Sequence, residues 1–238
     1  MLFVFIVLFL IVSGVRGVDW GSGNKISAAL IARKSGASVT FGDPTRGGNS
    51  TAVKDSIGYN IRYINSTYGA FSALLYDGTV KCWGDPDYGA DTTSVDPLLQ
   101  DVQEISATGH AFAARIRDGS VVAWGSPDFG GDTASVNADL VEIANIYSNE
   151  VAFAAVTKNR TNIVVWGAYA PEPDALNITA PVLHVYSTRF AFAALMVGGG
   201  VLTWGNGPSG ELPPNQLQSS IDAGVAINNG PPMDGFAV

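Results

Sequence analysis

The chain is poor in the residues that do chemistry. Its 238 residues include one cysteine, Cys82, and two histidines, His110 and His184. A single thiol excludes an intramolecular disulfide framework and any paired-cysteine zinc site. Cys82 stands in TVKCWG and reads as a small buried strand residue; only Lys81 beside it would lower its pKa. Neither histidine has a nucleophile motif nearby, and Ser209, in Gly207-Pro-Ser-Gly, lacks the GxSxG elbow. There is no HExxH and no phosphate loop. These absences argue against an enzyme, and no cofactor is expected.

Positive charge is also scarce. Lysine and arginine total 13 against 21 acidic residues, a net charge of −8, which weighs against nucleic acid and anionic membranes, both of which need clustered Lys or Arg. Charged residues are only 14% and hydrophobic ones 47%, enough to bury a core and too many for disorder. Period-3.6 segments are nearly missing; the best helical stretch is a turn or two over Pro97–Val102. The one long apolar run, Leu2–Val12, has 11 residues. A membrane span needs ~20, whereas a signal-peptide core needs about this many. Val15-Arg16-Gly17 permits cleavage before Val18, and Val12-Ser13-Gly14 is a second possible site, although no Lys or Arg precedes the run. The expectation is a signal peptide over 1–17 and a secreted mature chain, 18–238, with no membrane span; an uncleaved anchor is the alternative.

What is abundant is repetition. Ala111–Gly125 reads AFAARIRDGSVVAWG, two short strands joined at Asp-Gly and closed by Trp-Gly. Relatives stand at Ala70–Gly84 (AFSALLYDGTVKCWG), Ala152–Gly167 (AFAAVTKNRTNIVVWG) and Ala191–Gly205 (AFAALMVGGGVLTWG), with a worn copy at Ser27–Gly42. Phe41, Trp83, Trp124, Trp166 and Trp204 fall at intervals of 42, 41, 42 and 38 residues. A fixed period of this size is the mark of an array whose units bury a core only by stacking. The alternation in AFSALLY, with small residues on both sides, fits a strand squeezed between neighbours, and Asp77-Gly78 fits a two-residue hairpin turn. VQEISAT reads as a third strand, with Val102, Glu104 and Ser106 on one side and Gln103 and Ile105 on the other.

The fold class expected is therefore all-β, a β-propeller-like array of about five three-stranded repeats of ~40 residues, over 27–69, 70–110, 111–151, 152–189 and 190–230. Partial strands at 18–21 (VDWG) and 234–238 (DGFAV) look like halves of one hairpin, so the ring is expected to close through a composite blade. A chain that stops mid-repeat, leaving an open arc, is the alternative.

Asp77–Gly84 and Asp118–Gly125 match DG-x-V-x-x-WG, and Val102-x-x-Ile105-x-x-x-Gly109-His110 precedes the next copy. In this frame the chain resembles the regulator-of-chromosome-condensation repeats. In repeat length it is similar to the three-stranded blades of the bacterial β-lactamase-inhibitor propeller of the same superfamily. The resemblance covers about Ser27–Asn215. The family's Gly-Gln-Leu-Gly loop survives only in Gly207–Leu212, and five units fall short of its usual seven. The resemblance implies a propeller and a choice of functions: nucleotide exchange on a nuclear GTPase, substrate capture beside a ubiquitin-ligase domain, or enzyme inhibition.

Candidate site residues come from variation inside the fixed frame. INSTYGAF, ISATGHAF, IYSNEVAF and VYSTRFAF differ at Tyr68/Gly109/Glu150/Arg189 and at Gly69/His110/Val151/Phe190. Corresponding propeller loops gather on one rim, so Tyr68, His110, Glu150, Arg189 and Phe190 are the candidate partner-binding residues. His110 also fits a structural role, as a turn position of the repeat, and His184 in PVLHVYS reads as an outward strand residue. Asp85, Asp87 and Asp91 alternate as in a calcium loop but lack its closing Glu, so turn formation accounts for them and calcium is a weak alternative. Asn49, Asn65, Asn159 and Asn177 are glycosylation sequons, all expected between strands. Together these point to a secreted, glycosylated, non-enzymatic propeller that binds a protein or glycan through its inter-strand loops. A self-associating coat or fibril component is one alternative; an intracellular exchange-factor or ubiquitin-ligase-associated module is the other, if the leader is not functional.

Overall fold

Short alternating segments closed by Asp-Gly and Trp-Gly cannot form helices, and the chain builds sheets from them one after another. The computed structural model describes residues 18–19, 27–32, 38–58, 60–171 and 176–205. Five three-stranded antiparallel sheets follow in chain order. They are β1 (Val18–Asp19), β2 (Ser27–Ala32) and β3 (Ser38–Gly42); then β4 (Ile61–Ser66), β5 (Ala70–Leu75) and β6 (Val80–Gly84). Blade three is β7 (Val102–Ala107), β8 (Ala111–Ile116) and β9 (Val121–Gly125); blade four is β10 (Ile143–Ser148), β11 (Ala152–Thr157) and β12 (Ile163–Gly167). Blade five is β13 (Val182–Ser187), β14 (Ala191–Met196) and β15 (Val201–Gly205). The helical turn expected over 97–102 is one 3-10 turn, Asp96–Leu98, and Val102 already opens β7.

Four sequence expectations change. The strand at 102–107 pairs with the copy that follows it, not the one before, so each blade straddles the divisions 27–69, 70–110, 111–151, 152–189 and 190–230. The stretch 18–21 is not a spare outer strand: Val18 and Asp19 pair with Ala32 and Ile31 as the first strand of blade one. The composite blade loses that half, and 234–238, its other half, lies outside the described residues, as do 1–17 and Gly207–Leu212. The hairpins are not two-residue turns. Gly78 and Gly119 alone supply the positive φ, at 84° and 96°, while the amide of Leu75 donates to Thr79 and that of Gly78 to Leu75. This is a three-residue loop ending in a left-handed glycine. Finally, the first strands do not alternate cleanly. A bulge shifts register between Val102 and Glu104, and again at 61/63, 143/145 and 182/184. The extra residue brings Val102 and Ile105, three apart, to the same buried side.

The core lies between blades rather than within them. Leu74 of blade two packs with Val102, Phe112 and Trp124 of blade three; Ala113 and Val121 of blade three with Ile143, Phe153 and Trp166 of blade four; and Val156 of blade four with Val182, Val185, Phe192 and Trp204 of blade five, while Ile61, Ile64, Phe71 and Trp83 of blade two pack with Ile57 of the connection before them. In each, Phe and Trp sit directly opposite across the hairpin with stacked rings 5.2–5.4 Å apart. The indole Nε1 of Trp83, Trp124 and Trp166 donates to Gly47, Gly89 and Gly130 of the preceding blade's turn, at 3.0 Å each. A residue that recurs about every 40 positions thus stitches blades two, three and four to their predecessors, whereas the Trp204 Nε1 of blade five is buried with no partner among the described residues. At blade one Phe41 stands in the tryptophan position and is 54% exposed.

Candidate partner-binding rim

The loops before β5, β8, β11 and β14 lie at the same end of their blades as the turns after β6 and β9. A fixed polar residue shapes each loop. Thr67 Oγ1 accepts from the Ala70 amide (3.0 Å), Thr108 Oγ1 from Ala111 (3.0 Å), Asn149 Oδ1 from Val151 and Ala152 (both 2.8 Å), and Thr188 Oγ1 from Ala191 (3.2 Å). Thr67 and Thr108 also donate to the carbonyls of Tyr88 and Phe129, at 2.9 and 3.1 Å, and so fix the neighbouring turn. Those turns are 3-10 turns, Pro86–Tyr88 and Pro127–Phe129, each ended by a left-handed glycine.

Successive loops are hydrogen-bonded head to tail at the variable position. The amide of Tyr68 donates to the carbonyl of Gly109 (2.8 Å), Gly109 to Glu150 (2.8 Å), and Glu150 to Arg189 (3.1 Å). Positions about 40 residues apart in sequence therefore become neighbours, and their side chains meet. The Arg189 guanidinium forms a two-point ion pair with Glu150, its second nitrogen 2.7 Å from Oε1, and lies 4.8 Å over the Phe190 ring. The Glu150 carboxylate holds the Arg189 pKa well above its usual value. Burial, then hydrogen bonding to Glu150, pushes the Tyr68 phenol up. All five candidates, Tyr68, His110, Glu150, Arg189 and Phe190, share one rim.

Sequence reasoning missed three members. His110 stacks on Phe129 at 4.0 Å and on Tyr88 at 4.7 Å, with Tyr68 edge-on at 5.4 Å. Arg46 lies 4.9 Å over the Tyr88 ring. Arg46, Tyr88 and Phe129 are the same position of three turns, DPTRG, DPDYG and SPDFG, and the signal was there in an alignment of those turns. The column Arg46–Tyr88–His110–Phe129 spends ring faces on one another, so the rim offers ring edges, the Tyr68 phenol and the Glu150–Arg189 pair rather than a bare aromatic platform. His110 is thus also structural. Its Nδ1 is buried with no partner among the described residues, and burial lowers its pKa.

The other candidates separate. Asp85 caps its turn by accepting from the Asp87 amide (3.1 Å), and Asp91 accepts from the amide and hydroxyl of Thr93 (2.9 and 2.6 Å), which lowers its pKa. Among the described residues no three His, Cys, Asp or Glu side chains gather as a metal site needs, so the calcium alternative at Asp85, Asp87 and Asp91 loses its geometry. Cys82 packs against the core of blades two and three, and burial pushes its thiol up to about 12. His184 is an exposed strand residue between the rings of Tyr147 and Tyr186. Asn49, Asn159 and Asn177 are exposed and outside strands. Asn65 differs from expectation: it lies in β4, half-buried, and its Nδ2 donates to the Ile105 carbonyl of the next blade. No helix among the described residues is long and apolar enough to cross a membrane.

Neither a protein-family model nor a curated protein matches the chain. Solved structures do. The Physcomitrella patens receptor kinase CR4 ectodomain superposes with a TM-score of 0.53 at 15% identity, over 82% of this chain and 52% of that one. Prp20p of Saccharomyces cerevisiae, yeast RCC1, gives 0.54 at 14% over 77% and 56%; that structure was described with its binding to Gsp1p and histones. The ectodomain of the Arabidopsis thaliana receptor kinase ACR4 gives 0.50 at 14% over 78% and 67%. The chain thus spans about half the length of the first two. Its fold, all-β and built of three-stranded blades in series, is similar to that of these propellers. Identities this low establish the fold and nothing finer.

Proposed function

We propose that this chain is a non-enzymatic, secreted and glycosylated propeller that binds a protein or glycan through the rim of Tyr68, His110, Glu150, Arg189 and Phe190. The observation that carries the reading is the head-to-tail ladder of Tyr68, Gly109, Glu150 and Arg189, which sets the most variable positions of the repeat side by side. Tyr and Arg at the centre of such a surface are the types that anchor partners. The apolar run Leu2–Val12, expected to be the core of a signal peptide over 1–17, and the exposed sequons Asn49, Asn159 and Asn177 support the compartment. RCC1-type neighbours described with protein partners are consistent with a protein ligand.

The test has two parts. Intact mass of the full chain from a secretory host, in medium and lysate, should find a glycosylated product in the medium starting at Val18 or Val15. Retention with Met1–Gly17 intact and no glycan would reopen an intracellular exchange-factor or ubiquitin-ligase-associated role. Screening that product against glycan and extracellular-protein arrays should yield a ligand that Tyr68→Ala and Arg189→Glu release and Arg117→Glu, at the opposite end of blade three, retains. A ligand indifferent to both rim changes would remove the rim from the reading.

The self-associating alternative has its own observation. Phe41 is 54% exposed in blade one and Tyr186 57% in blade five, at strand faces that neighbours cover in the blades between them. Light scattering across a hundredfold concentration range separates the two: a constant monomer mass supports the binder, and growth with concentration the coat.

A further inference from the structure

Beside the rim turn Pro127–Phe129, a cleft of about 930 Å³ runs along β12 of blade four. Its floor is β12 with the flanking Asn162 and Ala168, and its wall is the connection after blade three, which contributes Asp128, Asp132 and Asp139. Among the described residues β12 is the edge strand of its sheet, paired with β11 on one side. The Thr157 amide donates to the Asn162 carbonyl and the Ala168 amide to the Val151 carbonyl, which frame the β11–β12 hairpin. Between these bonds the antiparallel ladder alternates, so Val164 and Trp166 turn their backbone groups to β11 while Ile163, Val165 and Gly167 aim theirs at the cleft. A row of backbone donors and acceptors beside a groove is what an added strand pairs with.

The wall selects the charge of that strand. Three carboxylates line the cleft, and no lysine or arginine is among its described lining residues. We propose that this cleft is a second binding site, which takes an extended basic peptide segment as a fourth strand of blade four. Main-chain bonds to Ile163, Val165 and Gly167 would hold the segment, and its lysines or arginines would pair with Asp128, Asp132 and Asp139. The site abuts the rim at Asp128, next to Phe129, but none of its proposed contacts is a rim candidate, and neither proposal depends on the other.

The probe is a fluorescent hexapeptide of alternating lysine and valine, titrated against the full chain by anisotropy at low and moderate salt. Saturable binding that weakens with salt is expected. A peptide of alternating glutamate and valine should not bind. The lysine peptide methylated on alternate backbone nitrogens should also fail, because it keeps the charge and loses the donors. Asp128→Asn, Asp132→Asn and Asp139→Asn combined should weaken the lysine peptide about tenfold, the sum expected of three exposed ion pairs. These aspartates are surface residues, so unchanged circular dichroism is expected of the variant. Absence of binding would overturn the site. Equal binding of the methylated peptide would reduce it to charge attraction without an added strand, and equal binding to the triple variant would place the peptide elsewhere; either result rejects the proposal.

Discussion

Trp124 reaches back 35 residues to donate its indole N–H to the carbonyl of Gly89 at 3.0 Å. The same ring stacks on Phe112, and a Cβ on Gly89 would lie 2.8 Å from that phenylalanine, so turn, ring and partner form one closely fitted unit. Trp124→Ala should destabilise the fold by about 3–5 kcal/mol through lost burial and a cavity. Trp124→Phe keeps most of the apolar contact but leaves the Gly89 carbonyl without its donor, for a loss of about 1–2 kcal/mol. Denaturant melts with unchanged m-values measure both. Equal losses would mean that the hydrogen bond, not the ring, dominates the staple.

Much of this architecture was legible because the repeat is written in residues with unequal physical demands. Trp-Gly and Ala-Phe-Ala announce a packing anchor and a crowded strand, and Phe41 to Trp204 mark the period. What escaped was relational. Nothing local in VQEISAT says whether it pairs forward or backward, and the bulge at Gln103 hides the burial of Val102 and Ile105 behind an apparent alternation. The rim was half legible. Variation at Tyr68, Glu150 and Arg189 pointed to it, but Arg46, Tyr88 and Phe129 looked like fillers of Pro-Gly turns until the fold placed them around His110.

Asn65 provides a prediction for any secretory preparation. A glycan is attached through Nδ2, the atom that here donates across the gap between blades two and three. Its sequon threonine, Thr67, is 2% exposed and committed to the loop. Glycopeptide mapping should find sugar at Asn49, Asn159 and Asn177 and unmodified Asn65. Asn65→Gln should cost about 1 kcal/mol by misplacing one hydrogen bond. A fully glycosylated Asn65 in folded protein would show that the two blades can part there.

Glu104 sits between blades three and four, pairing with Arg115 at 3.1 Å while its other oxygen accepts from the Ile146 amide at 3.4 Å. Burial outweighs these partners and raises its pKa above the usual carboxylate value. Arg115→Met removes the compensating charge. Because both side chains keep some exposure, the cost at pH 7 should be about 1–3 kcal/mol, below that of a fully buried pair. The raised pKa means that the folded state takes up this proton before the unfolded chain does, so the deficit should shrink as pH falls through it. Melts of both proteins at pH 7 and pH 5 test this; the same deficit at both values would assign the arginine a packing role alone.

His110 carries the opposite dependence. Burial lowers its folded pKa below 6.5, helped by Arg46 and opposed by Glu150, and the aromatic rings of Tyr68, Tyr88 and Phe129 complete its surroundings. The unfolded chain therefore binds the proton first as pH falls. The stability supplied by the neutral ring is complete above pH 6.5 and is lost on the way down through the lowered pKa. His110→Phe keeps an aromatic layer between Tyr88 and Phe129 and removes the titrating group. Between pH 7 and pH 5 the wild-type chain should lose more stability than this variant, with the difference appearing below pH 6.5. Parallel pH profiles would mean that His110 opens to solvent and charges without disturbing the stack, and the column would then be a surface feature rather than a clamp on the rim loops.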